Sequence, residues 1–126
     1  ECPPEPPERL LEFFDPRPQR PLSHTTLKVI DVLLTGDLSR IRSETVADSL
    51  RISPTTLRRR LSRDSTSYQT ILDAVRRYRC EESLADDWVP GKCVAWDLGY
   101  AEVNSFYRAF RRWTGRNYSD LKLLLI

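Results

Sequence analysis

Apolar residues in this chain recur at helical spacing, and one short apolar phrase recurs whole. Val46-Ala47-Asp48-Ser49-Leu50-Arg51-Ile52 returns 48 residues later as Val94-Ala95-Trp96-Asp97-Leu98-Gly99-Tyr100. In each copy the valine and the leucine stand i, i+4 apart and share a helix face. Ala47 and Ala95 are small where a second helix must cross closely. Each copy then runs into a second amphipathic block. Pro54 to Arg63 carries Leu57 and Leu61 on one stripe; Glu102 to Trp113 carries Phe106, Ala109, Phe110 and Trp113 at i, i+3, i+4, i+7. Gly99 closes the first helix of the second pair, where a left-handed residue is wanted. Arg51 stands there in the first pair and is a poorer turn residue. Ser53 and Pro54 read as N-cap and first helical residue.

The remaining pattern fills in around these two helix-turn-helix pairs. Ser23 to Leu34 reads as a helix with Ser23 as N-cap, Leu27, Ile30, Leu33 and Leu34 inward, and Gly36 as its stop. Ser67 to about Asp86 reads as one long helix, with Tyr68, Leu72 and Val75 on a face and Cys80 and Leu84 further round. Gly115 ends the helix before it, and Tyr118 to Leu124 closes the chain with Leu121 and Leu124 over the core. Residues 1–21 hold seven of the nine prolines and read as an extended linker. Within it, Glu8 to Phe14 is apolar enough for a short docking helix, with an upstream domain as a candidate surface. The predicted fold is all-α: two helix-turn-helix subdomains joined by a long linker helix, about seven helices in all. The expected boundaries are 1–21 linker, 22–66 first subdomain, 67–87 linker helix and 88–126 second subdomain.

Composition narrows the chemistry. The 40% hydrophobic content supports a packed core, and no apolar run approaches the ~20 residues of a membrane span. The chain shows no signal peptide and no initiator methionine, so it reads as a piece of a longer protein. Three cysteines, Cys2, Cys80 and Cys93, lack C-x-x-C spacing and predict neither a disulfide framework nor a zinc site. A reducing cytoplasm suits them, with Cys80 and Cys93 as small core residues. His24 is the only histidine and reads as a surface or helix-start residue. One histidine cannot build a Ser/His/Asp or Cys/His set, and four glycines form no phosphate loop. The expectation is no enzyme, no metal and no cofactor.

Charge points the other way, to a partner. The net charge of +2 conceals an asymmetry: residues 1–50 carry −3 and residues 51–126 carry +5. Arg58, Arg59, Arg60 and Arg63 fall in one predicted helix; Arg108, Arg111, Arg112 and Arg116 fall in or just after another. Arginine clustered on two repeated helices is the footprint of a polyanion partner. The linker helix adds geometry: ~20 residues span ~30 Å, close to the ~34 Å turn of a DNA duplex.

The stretch from Glu44 to Lys122 resembles the DNA-binding domain of the AraC/XylS family of bacterial transcription regulators. The residues that carry the resemblance are ETVADSLRISPTTLRRRL (44–61), TSYQTILDAVR (66–76) and VAWDLGYAEVNSFYRAFRRWTG (94–115). The resemblance implies a seven-helix domain with two recognition helices in successive major grooves of double-stranded DNA. It also implies a separate N-terminal sensing or dimerisation domain, RNA polymerase as a further candidate partner, and a nucleoid-associated, cytoplasmic location. The chain departs from the family at Tyr118, Leu121, Arg51 and Arg79. Arg79 reads as a phosphate contact or as a partner of Glu82.

Helical wheels assign the readers. Opposite Leu57 lie Thr55, Arg59 and Ser62, flanked by Arg58 and Arg63. Opposite Phe106 lie Asn104, Arg108 and Arg111, with Ser105 and Arg112 at the edge. N-terminal residues of a recognition helix penetrate a groove deepest. Thr55, Arg58, Arg59, Asn104, Ser105 and Arg108 are therefore the candidate base contacts, and the resemblance adds Val103. Arginine suits guanine O6/N7, asparagine suits adenine N6/N7, and a threonine or valine methyl suits thymine. Arg63, Ser67, Tyr68, Arg111, Arg112 and Arg116 are the candidate phosphate contacts. Arg60 turns partly inward and awaits an acidic partner. A helical protein-interaction module without DNA binding is the alternative class, and the arginines kept on both exposed faces argue against it. The chain on its own is expected to be a monomer.

Overall fold

The computed structural model describes residues 3–15, 17–18, 21–85 and 87–125, with side chains described to Leu121. Cys2, Asp86 and the side chain of Leu124 lie outside the described residues. Among the described residues the chain is all helical, with eight helices and no strand: α1 (Glu8–Glu12), α2 (His24–Thr35), α3 (Ser43–Ser49), α4 (Pro54–Arg63), α5 (Tyr68–Ser83), α6 (Gly91–Asp97), α7 (Val103–Thr114) and α8 (Tyr118–Leu125). No described helix is long and apolar enough to cross a membrane. The chain divides into two compact units, Glu1–Gly36 with Ile41–Tyr78, and Asp37–Arg40 with Arg79–Ile126.

The first unit is built where α2 and α3 pack on α4. Ser23 caps α2, and Gly36 stops it. The buried stripe of α2 is Thr26, Val29, Ile30 and Leu33. Leu27 and Leu34, expected inward, are only half-buried. The stripe is rotated because the buried threonine is satisfied at a distance. The Asp64 carboxylate just past α4 accepts from the Thr26 hydroxyl, from the Ser23 hydroxyl at 2.8 Å and from the Ser23 N–H at 2.9 Å. A buried hydroxyl is tolerated when it is hydrogen-bonded, and a carboxylate is favoured at a helix N-terminus. Along α5 the core residues are Ile71, Ala74 and Val75, with Tyr68 and Leu72 at the margin.

The N-terminal arm belongs to this unit. Leu10 and Phe14 are buried, and the Arg77 guanidinium lies 4.3 Å from the Phe13 ring centroid. The arm helix thus docks on its own chain.

The second unit centres on Phe106, which is fully buried. Cys80, Val94, Ala95, Leu98, Phe110 and Tyr118 complete its core, with Trp88, Trp113 and Leu121 packed around it. Tyr118 is the keystone that the sequence left unread. Its ring meets Phe106 and Phe110 at 5.1 Å each, edge to face, and its hydroxyl donates to the Val89 carbonyl. Such pairs are preferred ring geometries. Burial pushes the Cys80 thiol up to about 12 and raises Tyr118 above the usual phenol range. Cys93, expected as a core residue, is exposed on α6. His24 is exposed at the start of α2, as expected.

Candidate nucleic-acid interface

Both units contain the same local construction. Leu50 ends α3, and Arg51 follows with φ 59°, in the left-handed region. The Arg51 N–H donates to Asp48 and the Ile52 N–H to Ala47, both at 3.0 Å. In the second unit Gly99 has φ 83°, its N–H donates to Trp96, and the Tyr100 N–H donates to Ala95 at 3.0 Å. The two donor pairs are those of a Schellman turn. The sequence repeat is therefore a repeat of backbone hydrogen bonds. The offset is 48 residues through the turn and 49 in the second helices, where Leu57 answers to Phe106 and Leu61 to Phe110. One extra residue in the second turn accounts for the difference.

The turn delivers α4 and α7 with one buried stripe each. Leu57 and Leu61 are the buried residues of α4, and Phe106, Ala109 and Phe110 those of α7. Ser53 caps α4 by accepting from the Thr56 N–H at 3.1 Å. Glu102 stands at the N-cap of α7 without a side-chain cap bond. Neither helix contains an aspartate or a glutamate. Their free faces thus present positive charge without internal neutralisation, which suits a phosphate backbone.

Thr55, Arg58 and Arg59 are exposed on α4, as are Asn104 and Arg108 on α7. Ser105 is half-buried, and Arg108 donates to its hydroxyl at 3.3 Å, joining two candidate readers on one ridge. Val103 is half-buried against the second core. Among the candidate phosphate contacts, Arg63, Ser67, Arg111, Arg112 and Arg116 are exposed. Arg111 donates to the Asn117 side chain at 2.7 Å, which fixes its guanidinium at the end of α7. Ser67 caps α5, accepting from the Thr70 N–H at 3.1 Å.

Three residues differ from their sequence reading or refine it. The Tyr68 hydroxyl is buried and has no hydrogen-bond partner among the described residues; burial raises its pKa, opposed by Arg76. Arg60 is exposed and donates to the Thr25 hydroxyl at 3.4 Å, not to an acid. The charge of Arg79 acts on Asp37. The Ser39 hydroxyl and N–H bonds hold the Asp37 carboxyl below its usual range, and Arg40 and Arg79 add to that.

A helix-turn-helix domain family matches residues 46–122. The chain is 37% identical over 78 residues to the HTH-type transcriptional regulator VqsM of Pseudomonas aeruginosa, covering 62% of this chain and 24% of that protein. It is similar to the crystal structure of the transcriptional regulator CdpR from Pseudomonas aeruginosa, with a TM-score of 0.71 and 33% identity, over 81% of this chain and 32% of that one. The C-terminal domain of AraT, a response regulator from Geobacillus stearothermophilus, shares the fold with a TM-score of 0.72 at 22% identity, over 83% and 88% of the two chains. The chain spans about a quarter of the length of the curated relatives it matches. With the repeated turn, the paired basic helices and these matches in agreement, the chain belongs to the AraC-type helix-turn-helix family, as the DNA-binding domain of a transcription regulator.

Proposed function

We propose that one copy of this chain reads a single asymmetric DNA site with α4 and α7 in successive major grooves. The observation that carries the reading is the duplicated turn followed by an arginine-faced helix free of acidic residues. Two such helices call for two half-sites ~10 base pairs apart in an element of ~20 base pairs. Thr55, Arg58 and Arg59 read one half-site; Val103, Asn104, Ser105 and Arg108 read the other. Arg63, Ser67, Arg111, Arg112 and Arg116 hold phosphates and set the register. Tyr68 is left out of that set because its hydroxyl is buried.

The wider assembly follows from the same reading. The longer relatives support a full regulator in which a sensing or dimerisation domain precedes the proline-rich arm. In that setting the domain works in the cytoplasm, with RNA polymerase as a further partner, and the present chain binds DNA as a monomer.

Selection from a random duplex library at ~150 mM salt tests the reading, since only specific binding survives there in strength. The expected result is one motif of two unlike blocks about one helical turn apart. Salt-sensitive binding without an enriched motif, or a motif with a single block, overturns it.

A further inference from the structure

Tyr107 is one of two large apolar side chains left exposed in the described structure, at 38%. It is not a loose surface ring. Its neighbours are Phe106 at 5.8 Å and Tyr118 at 5.9 Å between centroids. Its outer edge overlies Gly91, the first residue of α6. A Cβ on Gly91 would fall 2.6 Å from Tyr107 Cε1 and 2.8 Å from Cζ, and nearer still to the hydroxyl. The ring therefore occupies a place that only a glycine at position 91 leaves open.

The internal repeat says which way this residue faces. With the 49-residue offset of the second helices, Tyr107 is the counterpart of Arg58. Each lies ~100° from the centre of the buried stripe, on the flank of the exposed face. Arg58 is one of the candidate DNA readers, and Tyr107 was absent from the corresponding set in the second unit. Arg111 lies on the same flank, one turn further along. A tyrosine held by two rings and a glycine presents its hydroxyl with little rotamer freedom to lose on binding.

We propose that Tyr107 is a DNA-contacting residue of the second unit, its hydroxyl donating to a phosphate oxygen at the edge of the groove that α7 enters, and that Gly91 provides the space for it. This rests on the reading of α7 as a recognition helix. The contact is neutral, so it releases no counterion of its own. It fixes the depth and rotation of α7 and leaves base choice to Asn104 and Arg108.

The test is binding of the intact chain and of Tyr107→Phe to the selected duplex and to a scrambled one, across a salt series. The phenylalanine keeps the ring packing, and an unchanged melting curve verifies that. Loss of one net hydrogen bond predicts about three- to tenfold weaker binding to both duplexes. The salt slope stays at the wild-type value, since slope counts neutralised phosphates. A single methylphosphonate at the contacted position abolishes the difference between Tyr107→Phe and wild type. If Tyr107→Phe binds like wild type while Arg108→Ala is impaired, the proposal is wrong and the reading of α7 stands. If both bind like wild type, α7 does not engage DNA, and the reading and the proposal fall together.

Discussion

The carbonyl group of Leu38 lies against the Cα of Gly99. A Cβ at Gly99 would stand 2.6 Å from the Leu38 carbonyl carbon and closer to its oxygen, while φ at Gly99 is 83°. Two independent constraints thus fall on one residue: a left-handed backbone and a backbone neighbour that cannot swing aside. Leu38 itself is buried in the second unit. Gly99→Ala should destabilise that unit by roughly 2 kcal/mol, combining left-handed strain with overpacking. All three tryptophans, Trp88, Trp96 and Trp113, lie in this unit. Urea unfolding followed by tryptophan fluorescence therefore isolates the effect; an unchanged midpoint would refute it.

The same turn in the first unit is under one constraint only. Arg51 shares the left-handed backbone with φ 59°, and its side chain is exposed. A non-glycine residue there costs about 1–2 kcal/mol, and a glycine costs some of that back in the unfolded chain. Arg51→Gly should be neutral to stabilising by at most about 1 kcal/mol. The reciprocal change, Gly99→Arg, should be severe. Thermal unfolding by circular dichroism of the two variants separates the cases, and a Gly99→Arg loss no larger than the Arg51→Gly gain would show that Leu38 contributes nothing.

This asymmetry marks how far the sequence could be read. The repeat, the turn positions, the buried stripes of α4 and α7 and the N-cap at Ser53 all follow from local spacing, and they are where the sequence placed them. What local spacing cannot supply is the partner across the chain. Thr26 is buried in place of Leu27 because Asp64, 38 residues away, satisfies its hydroxyl. In α5 the apolar residues cover so much of the circumference that a wheel has no single centre, and Ile71 and Ala74 are buried where spacing points to Tyr68 and Leu72. Tyr118 departs from the family pattern, yet it supplies the core ring for Phe106 and Phe110. Tyr107 belongs to no sequence-derived set because the glycine that seats it lies 16 residues earlier. The exposure of Thr55, Arg58, Arg59, Asn104 and Arg108 is legible for the converse reason: exposure on a short amphipathic helix is a local property.

The buried titratable groups of the second unit predict its behaviour in alkali. Burial holds the Cys80 thiol protonated up to about 12, against an ordinary value of 9.0. The Tyr118 phenol is raised in the same sense, by burial first and by Cys80, Tyr107 and Cys93 after it. Between pH 9 and about 12 the folded state therefore holds a proton that the unfolded state has lost. Stability conferred by the thiol is fully present below pH 9.0 and falls as pH rises through that window, with a slope approaching ~1.4 kcal/mol per pH unit for one proton. Tryptophan-monitored unfolding at pH 8, 9 and 10 checks the sign. Cys80→Ala should flatten the upper part of the profile, and a stability that rises with pH there would refute the assignment. At pH 8 a thiol reagent should label exposed Cys93 and spare Cys80 in the folded chain.

The two classes of arginine should separate in a single binding experiment. Arg59 and Arg108 occupy the centres of the exposed faces of α4 and α7, opposite Leu57 and Phe106. Bidentate guanidinium pairing to a guanine edge distinguishes bases. Arg59→Ala and Arg108→Ala should each cost ~1–3 kcal/mol and relax preference at one position, in different half-sites. Arg112 is exposed at the edge of its face, near the end of α7, the position proposed for a phosphate contact. Arg112→Ala should weaken all sequences alike and flatten the salt slope by about one unit. Selection and sequencing with each variant, followed by anisotropy titrations at several salt concentrations, measures both quantities at once. If Arg112→Ala changed the preferred base, or if Arg59→Ala and Arg108→Ala left every position of the motif intact, the face assignment drawn from Leu57 and Phe106 would be rotated from the true one.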